Sequence, residues 1–123
     1  MKFEESTGKI IKCAMDVHTA LGPGLLENVY KECLFRKLTK SGIFVEKEKP
    51  LKLVFEEITL DCSYRIDLLV EEKIVIELKS VKKLEDIHTA QILTYMRLGK
   101  YEVGLLINFN VLSLKNGIKR VVI

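Results

Sequence analysis

The sequence predicts an α/β chain of the α+β or mixed kind, and three observations point there. Two stretches near the N-terminus repeat apolar residues at the helical period. A run of short apolar or alternating segments then occupies the middle of the chain, separated by charged or Pro-containing turns. One further helical stretch stands between that run and another strand. The expected order is α-α-β-β-β-β-α-β followed by a terminal hairpin.

The first helix is expected to start near Ser6 or Thr7, either of which can cap it, with Ile10, Ala14, Val17, His18 and Leu21 along one face. Gly22-Pro23-Gly24 breaks it. A second helix is expected from about Leu25, with Leu26, Val29, Tyr30, Cys33, Leu34 and Leu38 as its stripe, stopping at Gly42 in the position after the cap. Strands are expected over 43–48 and 51–55, with Pro50 between them where a missing N–H is tolerated. Glu56-Glu57 reads as a turn before a strand at 58–60. Two strongly apolar strands follow at 64–70 and 74–78, across a charged turn at 71–73. A third helix is expected over 85–98, closed by Gly99, then a strand at 103–107 and a hairpin turning at Asn116-Gly117, a dipeptide suited to tight β-turns.

With 123 residues, the chain fits one domain, 1–123, large enough for a core without disulfide or metal staples. No run of about 18 apolar residues exists, which excludes a transmembrane helix. Acidic residues stand where a signal peptide would have its apolar stretch, so a cytoplasmic setting is expected. Cys13, Cys33 and Cys62 are odd in number and widely spaced among apolar residues, which suits free thiols better than disulfides or a zinc site. A net charge of +3 permits nucleic-acid contact without arguing for it, because strong non-specific binders show a marked basic patch.

The chemistry concentrates in Arg65-Ile66-Asp67-Leu68-Leu69-Val70 and Ile74-Val75-Ile76-Glu77-Leu78-Lys79-Ser80. Asp67 sits inside an apolar strand, where Asp is depleted. Glu77 and Lys79 are two apart and so share a strand face. Two carboxylates converging on one point can hold a hard cation, and a lysine beside them can orient a water or neutralise charge on a phosphate. The same alternation also fits an ordinary half-buried strand, with Ile74, Ile76 and Leu78 inward and the charges solvated. Turn parity separates the two readings. A two-residue loop opposes Asp67 to Ile76 and sends Glu77 to the other face. A three-residue loop opposes Asp67 to Glu77 and Arg65 to Lys79. The site reading therefore predicts an odd turn or a β-bulge.

Asp67, nine residues, then Glu77-Leu78-Lys79 resembles the core of the PD-(D/E)XK nuclease superfamily. Gly22-Pro23-Gly24-Leu25-Leu26-Glu27-Asn28-Val29-Tyr30 resembles the signature of its GxxExxY family, and Ala90-Gln91-Ile92-Leu93-Thr94-Tyr95 is similar to the Gln-x-x-x-Tyr motif of RecB-type nucleases. One departure is that Ile66-Asp67 stands where the short motif has Pro-Asp. The resemblance implies a restriction-endonuclease-like core, a central mixed sheet flanked by helices. It implies magnesium or manganese held by Asp67, Glu77, Glu27 and the backbone carbonyl of Leu78. Lys79 would position the attacking water or stabilise the phosphate. Gln91 would orient Lys79 or a metal-bound water, with Tyr95, Tyr30 and His88 in support. Glu27 also reads as an acid answering the free N–H groups of a helix start, Tyr95 as core, and His18 and His88 as structural. The implied activity is metal-dependent phosphodiester hydrolysis by a metal-activated water in line with the leaving group, on DNA ahead of RNA. The implied partners are nucleic acid and, given the modest charge, a second copy of the chain or another protein. A non-cleaving nucleic-acid-binding or protein-interaction module on the same fold is the alternative, and a purely structural protein would leave Glu27, Asp67, Glu77, Lys79 and Gln91 dispersed.

Overall fold

The computed structural model describes residues 3–61 and 64–123, so Cys62 lies outside the described residues. Helices α1 (Glu4–Leu21) and α2 (Glu27–Lys40) are followed by β1 (Val45–Pro50), the short pair β2 (Leu53–Phe55) and β3 (Ile58–Leu60), then β4 (Arg65–Val70) and β5 (Ile74–Lys79). Helix α3 (Asp86–Gly99) leads to β6 (Val103–Asn108), a 3-10 turn at Leu114–Gly117 and β7 (Ile118–Val122). The α+β layout holds, with five strands between α2 and α3 where the expected order has four, and several boundaries shift for local reasons.

Helix α1 begins earlier than Ser6 or Thr7. Phe3, left-handed at φ 53°, precedes it, and no side chain caps it. The Thr7 hydroxyl instead donates to the Glu4 carbonyl inside the first turn, and Ser6 donates to Glu71. Helix α2 begins at Glu27 rather than Leu25, and Gly42 follows its end at φ 79°, as expected of a terminating glycine. Gly99 does not close α3 by adopting the left-handed conformation; Lys100 does, at φ 62°. Gly99 is there for space, since a Cβ would run into the Tyr101 ring. Nor does Asn116-Gly117 form a two-residue hairpin turn. It ends the 3-10 turn, with Gly117 packed so closely on the Asn108 carbonyl that a side chain has no room. The terminal hairpin is made by β7 returning antiparallel along β6.

Five strands form one mixed sheet in the order β1-β4-β5-β6-β7, with β5 and β6 parallel and the other neighbours antiparallel. A parallel pair needs a crossover, and α3 supplies it. Strands β2 and β3 form a separate two-stranded hairpin. Helices α1 and α2 cover one face through Ile10, Ala14, Val17, Leu34 and Leu38, packed with Leu68, Val70, Ile74, Ile76 and Leu78. Helix α3 covers the other through Ile92 and Met96, packed with Ile66, Leu69, Val75 and Leu106. With both faces covered, β5 is buried along almost its whole length, and this explains its near-continuous apolar run. Among the described residues, no helix is long and apolar enough to cross a membrane.

One irregularity matters for function. In β4, Leu68 and Val70 face α1 and α2 while Leu69 faces α3, yet Ile66 joins the α3 core as well. Strict alternation would send Ile66 the other way, so β4 is distorted between Ile66 and Leu68, at Asp67. The neighbouring β1 is distorted at the same level. Its register passes from Lys47–Leu68 to Lys49–Ile66 without pairing Glu48, whose φ is 55°.

Candidate active site

The site is built where β4 and β5 part. Their pairing runs Val70–Ile74, Leu69–Val75 and Leu68–Ile76, closed by the three-residue turn 71–73. Glu71 and Glu72 take φ values of 53° and 58° there, and the Lys73 N–H donates to the Val70 carbonyl at 3.0 Å. The odd parity brings Asp67 opposite Glu77. The ladder ends at that level, so Arg65 and Lys79 do not continue it as partners.

The two acids fill the gap that the ladder leaves. The Asp67 backbone N–H donates to Glu77 Oε2 at 2.8 Å, and the Leu78 N–H donates to Asp67 Oδ2 at 2.8 Å. Each side chain thus replaces a backbone acceptor across the seam and satisfies an N–H that would otherwise be buried unpaired. Glu77 is only 4% exposed. Burial, and then the charge of Asp67, push its carboxyl up to about 8. Burial also raises Asp67, opposed by the hydrogen bond from the Leu78 N–H and by Lys31 and Lys79. Glu27 stands exposed in the first turn of α2, with its carboxyl drawn into the cleft far enough that burial raises it too, Lys79 offsetting part of the effect.

Lys79 follows Glu77 on the α3 side of β5. Its Nζ donates to Gln91 Oε1 at 2.9 Å, and Gln91 Nε2 donates in turn to the Tyr95 hydroxyl at 3.4 Å. The two α3 residues are four apart and share a helix face. The structure therefore brings Glu27, Asp67, Glu77, Lys79 and Gln91 to one end of the sheet. Leu78 is fully buried between Glu77 and Lys79.

Tyr30 and His88 are placed differently from the supporting roles expected of them. Tyr30 is fully buried, stacked on Phe109 with ring centroids 4.6 Å apart. Its hydroxyl donates to the Gly22 carbonyl at 2.6 Å and accepts the Leu25 N–H at 3.1 Å, so it holds the turn that delivers Glu27 instead of touching the acids. His88 accepts the Glu85 N–H on Nδ1 at 2.9 Å and so caps α3, while lying near enough to Glu27 to favour its ionised form. His18 is structural, its Nε2 2.8 Å from the Val111 carbonyl oxygen.

Three further residues belong to the site and escaped the sequence reading. Lys31 lines an open cleft of about 180 Å3 with Glu27, Asn28 and Asp67, and its Nζ lies 3.3 Å from Glu48. Its spacing four after Glu27 was the available signal. Ser80 donates to the Leu25 carbonyl at 2.6 Å, tying the end of β5 to the start of α2. Asn108, 2% exposed, donates to the Val81 carbonyl and accepts the N–H groups of Val81 and Asn110, fixing the loop beyond Lys79. A buried Asn at a strand end gave no local signal for this.

Among the described residues, no three His, Cys, Asp or Glu side chains converge tightly enough to hold a cation as they stand. The donor chemistry nevertheless fits a hard divalent ion. Glu27, Asp67 and Glu77 are oxygen donors gathered where burial penalises their charge, and a cation would relieve that penalty.

The family model of the PD-(D/E)XK nuclease superfamily matches residues 4–121. Neither a curated protein nor a solved structure matches the chain. Nucleases of this superfamily act on nucleic acid and typically use divalent metals. Matched over nearly its whole length, and with three helices about a five-stranded mixed sheet of the restriction-endonuclease-like kind, the chain belongs to the PD-(D/E)XK nuclease superfamily.

Proposed function

We propose that this protein hydrolyses phosphodiester bonds, of DNA in preference to RNA, with magnesium or manganese. On the Gly24-x-x-Glu27-x-x-Tyr30 motif we assign it to the GxxExxY branch of its superfamily. One observation carries the reading. Asp67 and Glu77 meet across a seam where the β-ladder stops, and the next residue on that face, Lys79, is held by Gln91. An ordinary half-buried strand has no need to bury Glu77 there.

In this reading Asp67, Glu77, Glu27 and the Leu78 carbonyl hold the cation. When bound, the ion supplies Lewis-acid polarisation of a phosphate oxygen and lowers the pKa of water. Gln91, steadied by Tyr95, keeps the Lys79 ammonium aimed at the phosphate, where its charge opposes the negative charge that builds up during attack. Lys31 adds a second positive charge at the mouth of the cleft. Burial of the seam keeps water from screening these charges. We place the protein in the cytoplasm, since three widely spaced cysteines, odd in number, suit a chain that keeps its thiols free.

A second reading, a non-cleaving binding module, is favoured by one observation: Asp67 and Glu77 each give an oxygen to a backbone N–H and do not converge with Glu27 as they stand. Incubation with linear DNA, circular DNA and RNA, each with magnesium or manganese, separates the two. The expected result is metal-dependent cleavage by the wild type that is lost in Glu77→Gln and lowered by about 10²–10³-fold in Lys79→Ala. Intact substrates throughout would establish the binding module. Activity that survives both substitutions would belong to a contaminant.

A further inference from the structure

Beside the acidic seam, between the start of β2, Tyr64 and α3, runs a mainly apolar groove of about 300 Å3. Leu53, Tyr64, Ile87, Gln91, Tyr95 and Leu98 are among its walls. The rings of Tyr64 and Tyr95 stand 6.1 Å apart between centroids, inclined at 48°. Gln91 and Tyr95 belong both to this groove and to the chain of contacts that begins at Lys79. At its rim Ile87 is 71% exposed in the first turn of α3, where the fold needs no aliphatic side chain.

We propose that this groove receives an unpaired nucleobase of the substrate strand, next to the phosphate faced by Lys79. The inference rests on the nuclease reading and names the form of nucleic acid that the site takes. Two arguments favour this occupant. The first is continuity, since a strand whose phosphate lies against Lys79 has a neighbouring base beside the wall formed by Gln91 and Tyr95. The second is charge. A net charge of +3, with three acids gathered at the cleft, leaves phosphate contacts a minor share of the grip. Contact between base faces and aromatic or aliphatic side chains then carries affinity, and only unpaired bases offer their faces. Bases in a duplex present edges alone to the grooves. The site is therefore built for single-stranded, frayed or extruded nucleotides.

Fluorescence anisotropy of labelled oligonucleotides in EDTA reads binding without cleavage. The ligands are a single strand, the same strand with one abasic position stepped along it, and the matching duplex. The wild type is expected to bind the single strand more tightly than the duplex, and one or two abasic positions are expected to cost about tenfold, the usual scale of one stacked base. Tyr64→Ala is expected to weaken single-strand binding by about tenfold and to abolish the abasic penalty, as coupling in a double-mutant cycle requires. Ile87→Ser changes an exposed residue that folding does not need, and it is expected to act in the same direction. Unchanged single-strand affinity in both variants, or an abasic penalty that persists in both, overturns the proposal. So does a change confined to self-association by sedimentation, which would make the groove a contact between copies. Metal-dependent cleavage by a wild type whose binding ignores both substitutions removes this inference and leaves the nuclease reading. Abasic-sensitive binding without cleavage does the reverse, and no binding to any oligonucleotide overturns this inference, while cleavage with the cation present decides the nuclease reading separately.

Discussion

Glu77 holds its proton far above the ordinary carboxylate range because it is buried beside Asp67, and that has a consequence for stability. An acid raised in the folded state binds its proton more tightly there than in the unfolded chain. The resulting stability is fully present below the unfolded value of about 4.5 and is lost as pH rises towards about 8. Thermal melting of metal-free protein is therefore expected to show Tm falling across this window, with a flatter profile in Glu77→Gln. A ligand that binds the ionised pair works against the loss, by about 2.7 kcal/mol at a hundred times its Kd. Magnesium is expected to raise Tm at pH 8 in the wild type and to do so little in Glu77→Gln; equal shifts in both would mean that the cation binds elsewhere. Lys79→Ala is expected to lower cleavage by about 10²–10³-fold, the usual cost of removing one positioned electrostatic stabiliser. Its melting curve should stay close to wild type, since the lysine is only half-buried.

At the scale of elements, the site depends on helices being delivered to the sheet at fixed places. Removing the Tyr30 hydroxyl in Tyr30→Phe strips partners from the Gly22 carbonyl and the Leu25 N–H, at about 1–3 kcal/mol for buried polar groups left unpaired. A drop in Tm together with weaker metal binding would show that the turn before Glu27 has loosened. Gly104 lies under α3, where a Cβ would come within 2.8 Å of Met96 Sδ and 3.0 Å of Ile92 Cδ1. Gly104→Ala is expected to cost about 1–3 kcal/mol in denaturant melts by overpacking this layer. Much of this scale was legible in the sequence. The apolar periodicities located all three helices, and the parity argument located the odd turn at 71–73. What misled was glycine chemistry. Gly99 and Gly117 read as turn residues because a sequence shows the freedom of glycine and not the atoms crowding it.

Across the whole molecule, stability is uneven. Strands β5 and β6 are sandwiched between helices, whereas the β2–β3 hairpin stands apart, with Phe55 64% exposed. An isolated two-stranded hairpin is marginal in water. Native-state hydrogen exchange should therefore find the amides of β2 and β3 opening first and those of β5 and β6 opening only with global unfolding. Protection in β2–β3 equal to that in β5 would show that something covers the hairpin. The sheet order and the coincident distortions at Glu48 and Asp67 were not legible, because both depend on which strands become neighbours. Asp67, Glu77 and Lys79 were singled out by their places in the apolar strands, and Glu27 and Gln91 by the resemblance to the superfamily's motifs. Lys31 was passed over although it stands four after Glu27, while Ser80 and Asn108 gave no local signal, because their roles are contacts made across long stretches of chain.

The exchange of hydrogen bonds across the parted strands ties chemistry to architecture in a way that bears on how such a chain can diverge. Asp67 and Glu77 each complete the sheet for the other's strand, so losing either acid costs the fold as well as the reaction. Lys79 carries no such debt. A descendant that gave up cleavage would be expected to change its lysine first and to keep the acids, or their amide counterparts Asn and Gln, whose carbonyl oxygens can still accept those two N–H groups. In this lineage, retained carboxylates alone would be a poor marker of a living enzyme, and the residue at position 79 a better one.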